Sequence, residues 1–269
     1  MSAALATLSG LFVYPLKSAR GIALERAKVG ARGIEHDRRW MVVDEQGVFV
    51  SQRTHPRLAL VGTALDGAVL RLAAPGLPEL PLSPPLETAA EPVRVWNDNV
   101  PGLVAPKNAC EWVSELLGAR CRLVYLPDAA RRRVAAPYAP ARLVSFADAF
   151  PFLLLSEGSL AELNRRLERP VPMDRFRPNL VVSGCSPHAE DTWRRIRIGD
   201  VSFVVAKPCS RCVVVTTDQS TGERHREPLA TLATYRLLDG KVMFGQNLIH
   251  EGEGTLALAS LVRQVRTEK

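Results

Sequence analysis

The sequence predicts a mainly β protein with a few helices (α+β), opening on a small barrel or sandwich over roughly its first 100 residues. Two observations carry this. Pro (20) and Gly (18) are frequent among 269 residues while aromatics are only 6%, a usage of many turns and short strands. Short apolar and β-branched runs, each bounded by turn residues, then recur along the N-terminal part, and helical patterns appear after it. With 46% apolar and 23% charged residues, the chain is neither disordered nor fibrous. Its length suits one large domain or two modest ones.

The elements follow in order. Residues 11–16 and 24–29 are strand signals, separated by the turn at Lys17-Ser18-Ala19-Arg20-Gly21. Arg39-Trp40-Met41-Val42-Val43 and residues 48–52 flank Asp44-Glu45-Gln46-Gly47, which reads as a hairpin. Residues 58–61 start a strand or a helix, and Asp66-Gly67 makes a further hairpin with 68–72. Five prolines between 75 and 85 exclude a helix or a central strand there. Residues 109–117 read as a short helix stopped by Gly118. Residues 121–126 form a strand, and a polar, basic linker covers 127–142. A buried strand at 152–155 precedes the clearest helix, whose start is Ser159-Leu160-Ala161-Glu162, a capping-box pattern. Strands are expected at 180–182, 195–198, 201–205 and 213–217. Pro228 opens a last helix over 229–237, and strands at 242–249 and 256–261 finish the chain. No internal repeat is present.

Several classes are excluded. No apolar run approaches the ~20 residues of a spanning helix. Residues 1–10 carry no secretory pattern, so the expectation is a cytoplasmic protein without a transmembrane segment. Lys and Arg exceed Asp and Glu by 35 − 28 = +7. The basic residues are dispersed, and the one run, Arg131-Arg132-Arg133, has no aromatic platform beside it. It reads as a solvated loop rather than a nucleic-acid site. A basic chain can equally hold a small anionic ligand. The five cysteines do not make a disulfide framework or an iron–sulfur spacing. No glycine-rich dinucleotide or phosphate loop, no paired histidines and no serine elbow occur.

Some residues remain as candidates for chemistry. Cys209-Ser210-Arg211-Cys212 is a C-x-x-C open to three readings: a partial zinc site, a redox pair, or a single thiolate on a metal. Lys17-Ser18 pairs a charge with a hydroxyl, which reads as an ordinary polar turn or as a combination that suits phosphate. Arg38 precedes a hydrophobic strand, where an arginine faces solvent or binds an anion, and the sequence alone favours solvent. Phe176-Arg177-Pro178-Asn179 sets planar donors at a rigid strand entry, suited to a phosphate or a flat heterocycle, or to a buried ion pair. Asp148 is the one acid in the apolar stretch 146–155, where it caps a turn or donates a proton.

Together these strings resemble a known family. Phe176-Arg177-Pro178-Asn179, Gly184-Cys185, Ala189-Glu190-Asp191-Thr192-Trp193, Ile198-Gly199-Asp200-Val201, Cys209-Ser210-Arg211-Cys212, Asp218 and Thr221-Gly222 resemble the MOSC (molybdenum cofactor sulfurase C-terminal) domain. Tyr14-Pro15-Leu16-Lys17-Ser18, Gly21 and Asp37-Arg38-Arg39-Trp40-Met41-Val42 resemble its companion N-terminal β-barrel domain. Their order is that of the amidoxime-reducing component family and its bacterial relatives.

The resemblance implies an N-terminal β-barrel-like domain over 1–118 and a MOSC β-barrel with a few helices over 119–269. It implies a molybdenum cofactor, a pterin dithiolene with a phosphate, whose metal is ligated by Cys212. Lys17, Ser18, Arg38, Arg177, Asn179, Ser210 and Arg211 would hold the pterin and phosphate, and Asp148 would move a proton or orient water near the metal. It implies two-electron reduction of a small N-hydroxylated substrate. The electrons would come from a separate donor of the ferredoxin, flavin or cytochrome b5 type, since the ferredoxin domain of some bacterial members is not expected here. The alternative is a sulfur carrier with a persulfide on Cys212. Phe150, Asn247 and Ala105-Pro106-Lys107-Asn108 depart from the usual family residues and bear on pocket shape.

Overall fold

The structure is a computed structural model that describes residues 4–85, 88–139 and 141–265. Residues 1–3 of the N-terminal stretch and Pro140 of the polar linker therefore lie outside the described residues. The fold is α+β and mostly strand, a closed seven-stranded barrel beside a half-barrel.

The barrel runs Phe152–Ser156, Leu180–Ser183, Ala4–Val13, Leu261–Gln264, Arg195–Ile198, Val201–Ser210 and Lys241–His250. The last strand pairs back onto the first, with Phe152 opposite Leu248. Closure leaves no free edge on these strands. Phe152–Ser156 and Leu180–Ser183 pair in parallel, a geometry that needs a crossover; the helix Glu157–Asn164 lies in that connection. Leu8, Leu11, Leu154, Leu180, Ile196, Phe203 and Leu248 fill the interior. At the closure Gly245 has φ 79°, and a Cβ there would meet the Leu154 carbonyl oxygen at 2.7 Å, so only glycine lets the two strands approach.

The half-barrel is the sheet Trp40–Asp44, Cys121–Tyr125, Asp98–Val104, Ala90–Val95. The helix Lys107–Leu117 packs Trp112, Val113 and Leu116 into the same core, which also takes Trp40, Val42 and Leu123. Gly118 ends it at φ 64°, a left-handed conformation that costs glycine little. A three-stranded meander, Gly62–Asp66, Val69–Ala74, Leu77–Leu82, lies alongside; the strand with Pro78 and Pro81 is on its edge, where a missing N–H is tolerated. The N-terminal strand Ala4–Val13 sits inside the C-terminal barrel, and Cys121–Tyr125 pairs with Trp40–Asp44. Hydrogen bonds thus tie together residues on both sides of position 118.

Several local expectations are corrected. Residues 213–217 do not form a strand: Val213–Thr216 is a 3₁₀ turn. β-branched residues favour a half-buried pleated surface, and Val201–Ser210 and Lys241–His250 have already paired with each other, so this segment folds back as a turn that buries Val215 and Thr216. The helix near 159 is capped one turn earlier, by Ser156, whose Oγ accepts from the Ser159 N–H. Ser159 lies inside it and binds Glu190 instead. The second arm of the first hairpin is reduced to isolated bridges at Val48 and Phe49. The last helix is shorter, Leu229–Ala233.

The basic run is not all solvated. Arg131 and Arg133 are exposed, but Arg132 is buried. Its guanidinium donates to the carbonyls of Ser145 (2.7 Å), Ala147 and Asp148 (2.9 Å) and to Asp98 Oδ2 (2.8 Å). Arginine does this well because its five donors sit in a rigid planar fork. Arg132 thereby staples the loop that carries Asp148.

Candidate active site

One cavity of about 170 Å³ opens where the barrel meets the half-barrel. Lys17, Ser18, Arg38, Asp148, Arg177, Asn179, Ser210, Arg211 and Cys212 all line it. They come from segments far apart in the chain, and the backbone explains their meeting. The Lys17 N–H binds the Trp40 carbonyl, and the Arg38 N–H binds that of Tyr14, so 14–17 and 37–40 run side by side. The Asn179 N–H binds Leu153 O, and the Arg211 N–H binds Val242 O. The candidates thus sit at the ends of strands of the barrel and half-barrel or in the loops that join them.

Lys17 is the most enclosed of the cations, 5% exposed. Its Nζ donates to Phe146 O at 2.7 Å and to Asp148 Oδ1 at 2.6 Å. Burial pushes its ammonium down to about 8, against the pull of Asp148. Unfolded lysine binds more protons between about pH 8 and 10.5, so this group makes the fold gain stability as pH rises through that window.

Asp148 lies between two cations. Arg53 Nη2 reaches Oδ2 at 2.8 Å, and Trp96 Nε1 reaches Oδ1 at 3.3 Å. Burial acts to raise its pKa, but Lys17 and Arg53 outweigh it and hold the carboxyl well below the usual carboxylate range. An ionised, doubly paired Asp148 orients its neighbours better than it donates a proton. The folded-state pKa is depressed, so its contribution is complete above about pH 4 and is lost as pH falls from there. The Tm gap between wild type and Asp148→Asn is therefore expected to narrow steadily below about pH 4. Thermal melts across the acid range measure it, and a gap that stays constant contradicts the ion-paired carboxylate.

Arg38 is not solvated. Its Nη1 donates to Asp37 Oδ2 at 2.5 Å and Asn179 Oδ1 at 2.9 Å. Arg38 and Arg177 each place their guanidinium carbon 4.4 Å from the Tyr14 ring centroid. Tyr14 also donates its hydroxyl to Pro178 O at 3.0 Å, and burial pushes that hydroxyl up to about 12. Such stacking holds two like charges close together by the ring quadrupole. Asn179 is buried and saturated: Oδ1 also accepts from the Leu153 N–H, and Nδ2 donates to Phe12 O and Asp37 Oδ1. Its side chain therefore orients Arg38.

Arg177 and Arg211 supply donors without acceptors. The Arg177 guanidinium has no hydrogen-bond acceptor among the described residues, in contrast to the buried ion pair weighed from sequence. Burial lowers its pKa to about 10, so it stays charged at neutral pH. Arg211 donates to Phe176 O (2.8 Å) and Cys209 Sγ (3.2 Å), yet its buried Nε is unpartnered. Buried donors of this kind are costly unless something accepts from them. The lining holds five cations, Lys17, Arg38, Arg53, Arg177 and Arg211, against one carboxylate, Asp148. Cys212 stands half-buried beside Arg53 as a free thiol. A polyanion with a soft metal centre fits this set: the cations and orphaned donors suit phosphate, and thiolate suits molybdenum.

Residues that sequence reasoning missed are Arg53, Trp96 and the Tyr14 ring. Burial works against the charge on Arg53, but Asp148 and then Cys212 more than offset it. Its guanidinium also stacks 4.6 Å from Trp96. An arginine in the loop after a broken hairpin carries no sequence signal of this role. Phe150 and Asn247, noted as departures from the family, both line the cavity.

Comparison with known proteins gives the context. Residues 5–120 match the MOSC N-terminal beta barrel domain, and residues 141–263 match the MOSC domain. Mitochondrial amidoxime-reducing component 1 of Mus musculus is 38% identical, covering 95% of this chain and 81% of that protein. The Homo sapiens component 1 is 36% identical, covering 95% and 82%. Among solved structures, the YUAD protein from Bacillus subtilis aligns over 99% of this chain and all of its own, at 12% identity and a TM-score of 0.46. The expectation of a cytoplasmic location is overturned by these relatives, whose names place them in the mitochondrion; the missing secretory pattern in residues 1–10 bears only on secretion. Among the described residues no helix is long and apolar enough to cross a membrane. Both domain matches in this order, with such identity over nearly the whole chain, make it a member of the amidoxime-reducing component family of MOSC-domain proteins.

Proposed function

We propose that this protein is a molybdenum-cofactor-dependent oxidoreductase that reduces N-hydroxylated compounds. The observation that supports it most is the convergence of nine residues, named from sequence alone, on one cationic cavity with a free thiol at its wall. Cys212 would ligate molybdenum. Lys17, Ser18, Arg38, Arg177, Ser210 and Arg211 would hold the pterin and its phosphate, with Asn179 acting through Arg38. Bound there, the cofactor supplies two-electron redox chemistry at an oxygen-accepting metal.

The chain's own residues do the rest. The arginines and Lys17 neutralise the anionic cofactor. Asp148, ionised between Lys17 and Arg53, keeps both cations aimed at the cavity and orients water beside Cys212. The overall change balances: an amidoxime takes two electrons and two protons, its N–O bond breaks, and an amidine and water leave. A separate donor protein supplies the electrons. The mouth of the cavity admits the substrate, and solvent supplies the protons.

The test is expression in a host that makes the cofactor, followed by elemental analysis and an amidoxime reduction assay with an artificial reductant. About one molybdenum per chain, together with turnover, is the expected result. Metal-free protein with an intact Cys212 overturns the reading, and labelled persulfide sulfur on Cys212 without molybdenum turns it to the sulfur carrier.

A further inference from the structure

At the rim of the cavity stands a cluster that the proposed chemistry does not use. Phe150 lines the cavity and meets Tyr138 edge-on, with ring centroids 5.2 Å apart at 74°. Tyr138 is 40% exposed while Phe150 is 8% exposed, so the pair runs from the wall to the surface. Lys207 Nζ lies 5.4 Å from the Tyr138 centroid and 5.6 Å from the Phe150 centroid. No carboxylate pairs with Lys207 among the described residues. Its backbone is tied to the wall: Lys207 is in register with Asn247, and Asn247 lines the cavity. Two aromatic rings, one of them on the cavity wall, thus hold an unneutralised ammonium beside it.

We propose that Phe150, Tyr138 and Lys207 form a subsite for the far end of the substrate, selecting aryl N-hydroxy compounds that carry a carboxylate opposite the N-hydroxy group. The aryl ring packs on Phe150, and the carboxylate meets Lys207. Lys207 lies three residues before Ser210 on one strand, which is bulged between Pro208 and Ser210, so the two are at most roughly 10 Å apart at about 3.3 Å per residue. One aromatic ring with substituents at both ends spans a distance of that order. Ring contacts pre-orient the lysine, which lowers the ordering cost of an exposed ion pair. The inference rests on the reduction proposed above.

The test uses molybdenum-loaded enzyme with benzamidoxime and its para-carboxylate, and reads the ratio of their kcat/KM values. Wild type is expected to favour the carboxylate by about threefold or more, mostly through KM, and less so at high salt. Lys207→Gln removes the preference and Lys207→Glu inverts it. Calorimetric binding of para-amidinobenzoate follows the same order across the three proteins. Equal kcat/KM for both substrates in wild type, or a preference that survives Lys207→Glu, overturns the subsite and leaves the reductase reading standing. If loaded enzyme reduces neither substrate, the reductase reading fails, and the calorimetric order alone decides the subsite.

Discussion

Arg132→Leu is expected to destabilise the protein by about 3–5 kcal/mol, the cost of breaking a buried, fully bonded charge. For a chain of this size that is a fall in Tm of roughly 10 °C. Leucine fills part of the volume but supplies no donor. The buried Ser145 and Ala147 carbonyls and the part-buried Asp148 carbonyl, all bound by Arg132, then lose their partner, and Asp98 loses its ion pair. Each unsatisfied buried carbonyl costs about 1–3 kcal/mol, so relaxation and entering water set where in the range the value falls. Arg131→Leu, one residue away and exposed, is the control, with an expected change within about 0.5 kcal/mol. Calorimetry or circular dichroism reads both. If the two variants melt together, Arg132 is not a staple. Because it holds the loop bearing Asp148, its loss should also loosen the Lys17–Asp148–Arg53 arrangement, which a shallower acid dependence of Tm would report.

Cys212→Ala is expected to act in the opposite way, sparing the fold and stripping the metal. The thiol is half-buried at the start of a 3₁₀ turn and makes no bond that the backbone needs; the turn is closed by its carbonyl, which alanine retains. The melting temperature should stay within about 2 °C of wild type, as for substitutions away from the core. Removing even a partner of a metal ligand costs about 10–100-fold in affinity, so losing the ligand itself should lower bound molybdenum at least about tenfold. Amidoxime turnover should fall to background with it. Elemental analysis beside a thermal melt separates the two effects. Undiminished molybdenum in a well-folded Cys212→Ala protein removes Cys212 from the metal.

Local chemistry was enough to place many elements in advance. Strand segments around 152–155 and 180–182 were legible because runs of large apolar residues bounded by turn formers leave few alternatives, and 195–198 because Arg-Ile-Arg-Ile alternates with the period of a half-buried strand. Gly118 ended its helix, and the prolines at 78 and 81 kept their strand on an edge. The misread segments share one cause. Val213-Val214-Val215-Thr216 has strong β propensity, yet the neighbouring strands had no open edge for it at that point. Ser159 fits a cap pattern, but Ser156 reached the free N–H first.

By itself, the sequence determined the fold class and the family through residue identity and spacing, and the family resemblance in turn named the side chains that gather around the cavity. Only the tertiary structure decided what each side chain does there. It put Lys17 and Asp148 in one ion pair, stacked Arg38 and Arg177 on Tyr14, and saturated Asn179. It buried the middle arginine of a run whose neighbours face water, and it brought Arg53 to Cys212 from a loop with no motif. The physical reason is that charge, burial and hydrogen bonding act through distance. Residues more than a hundred positions apart acquire those distances only when the barrel closes.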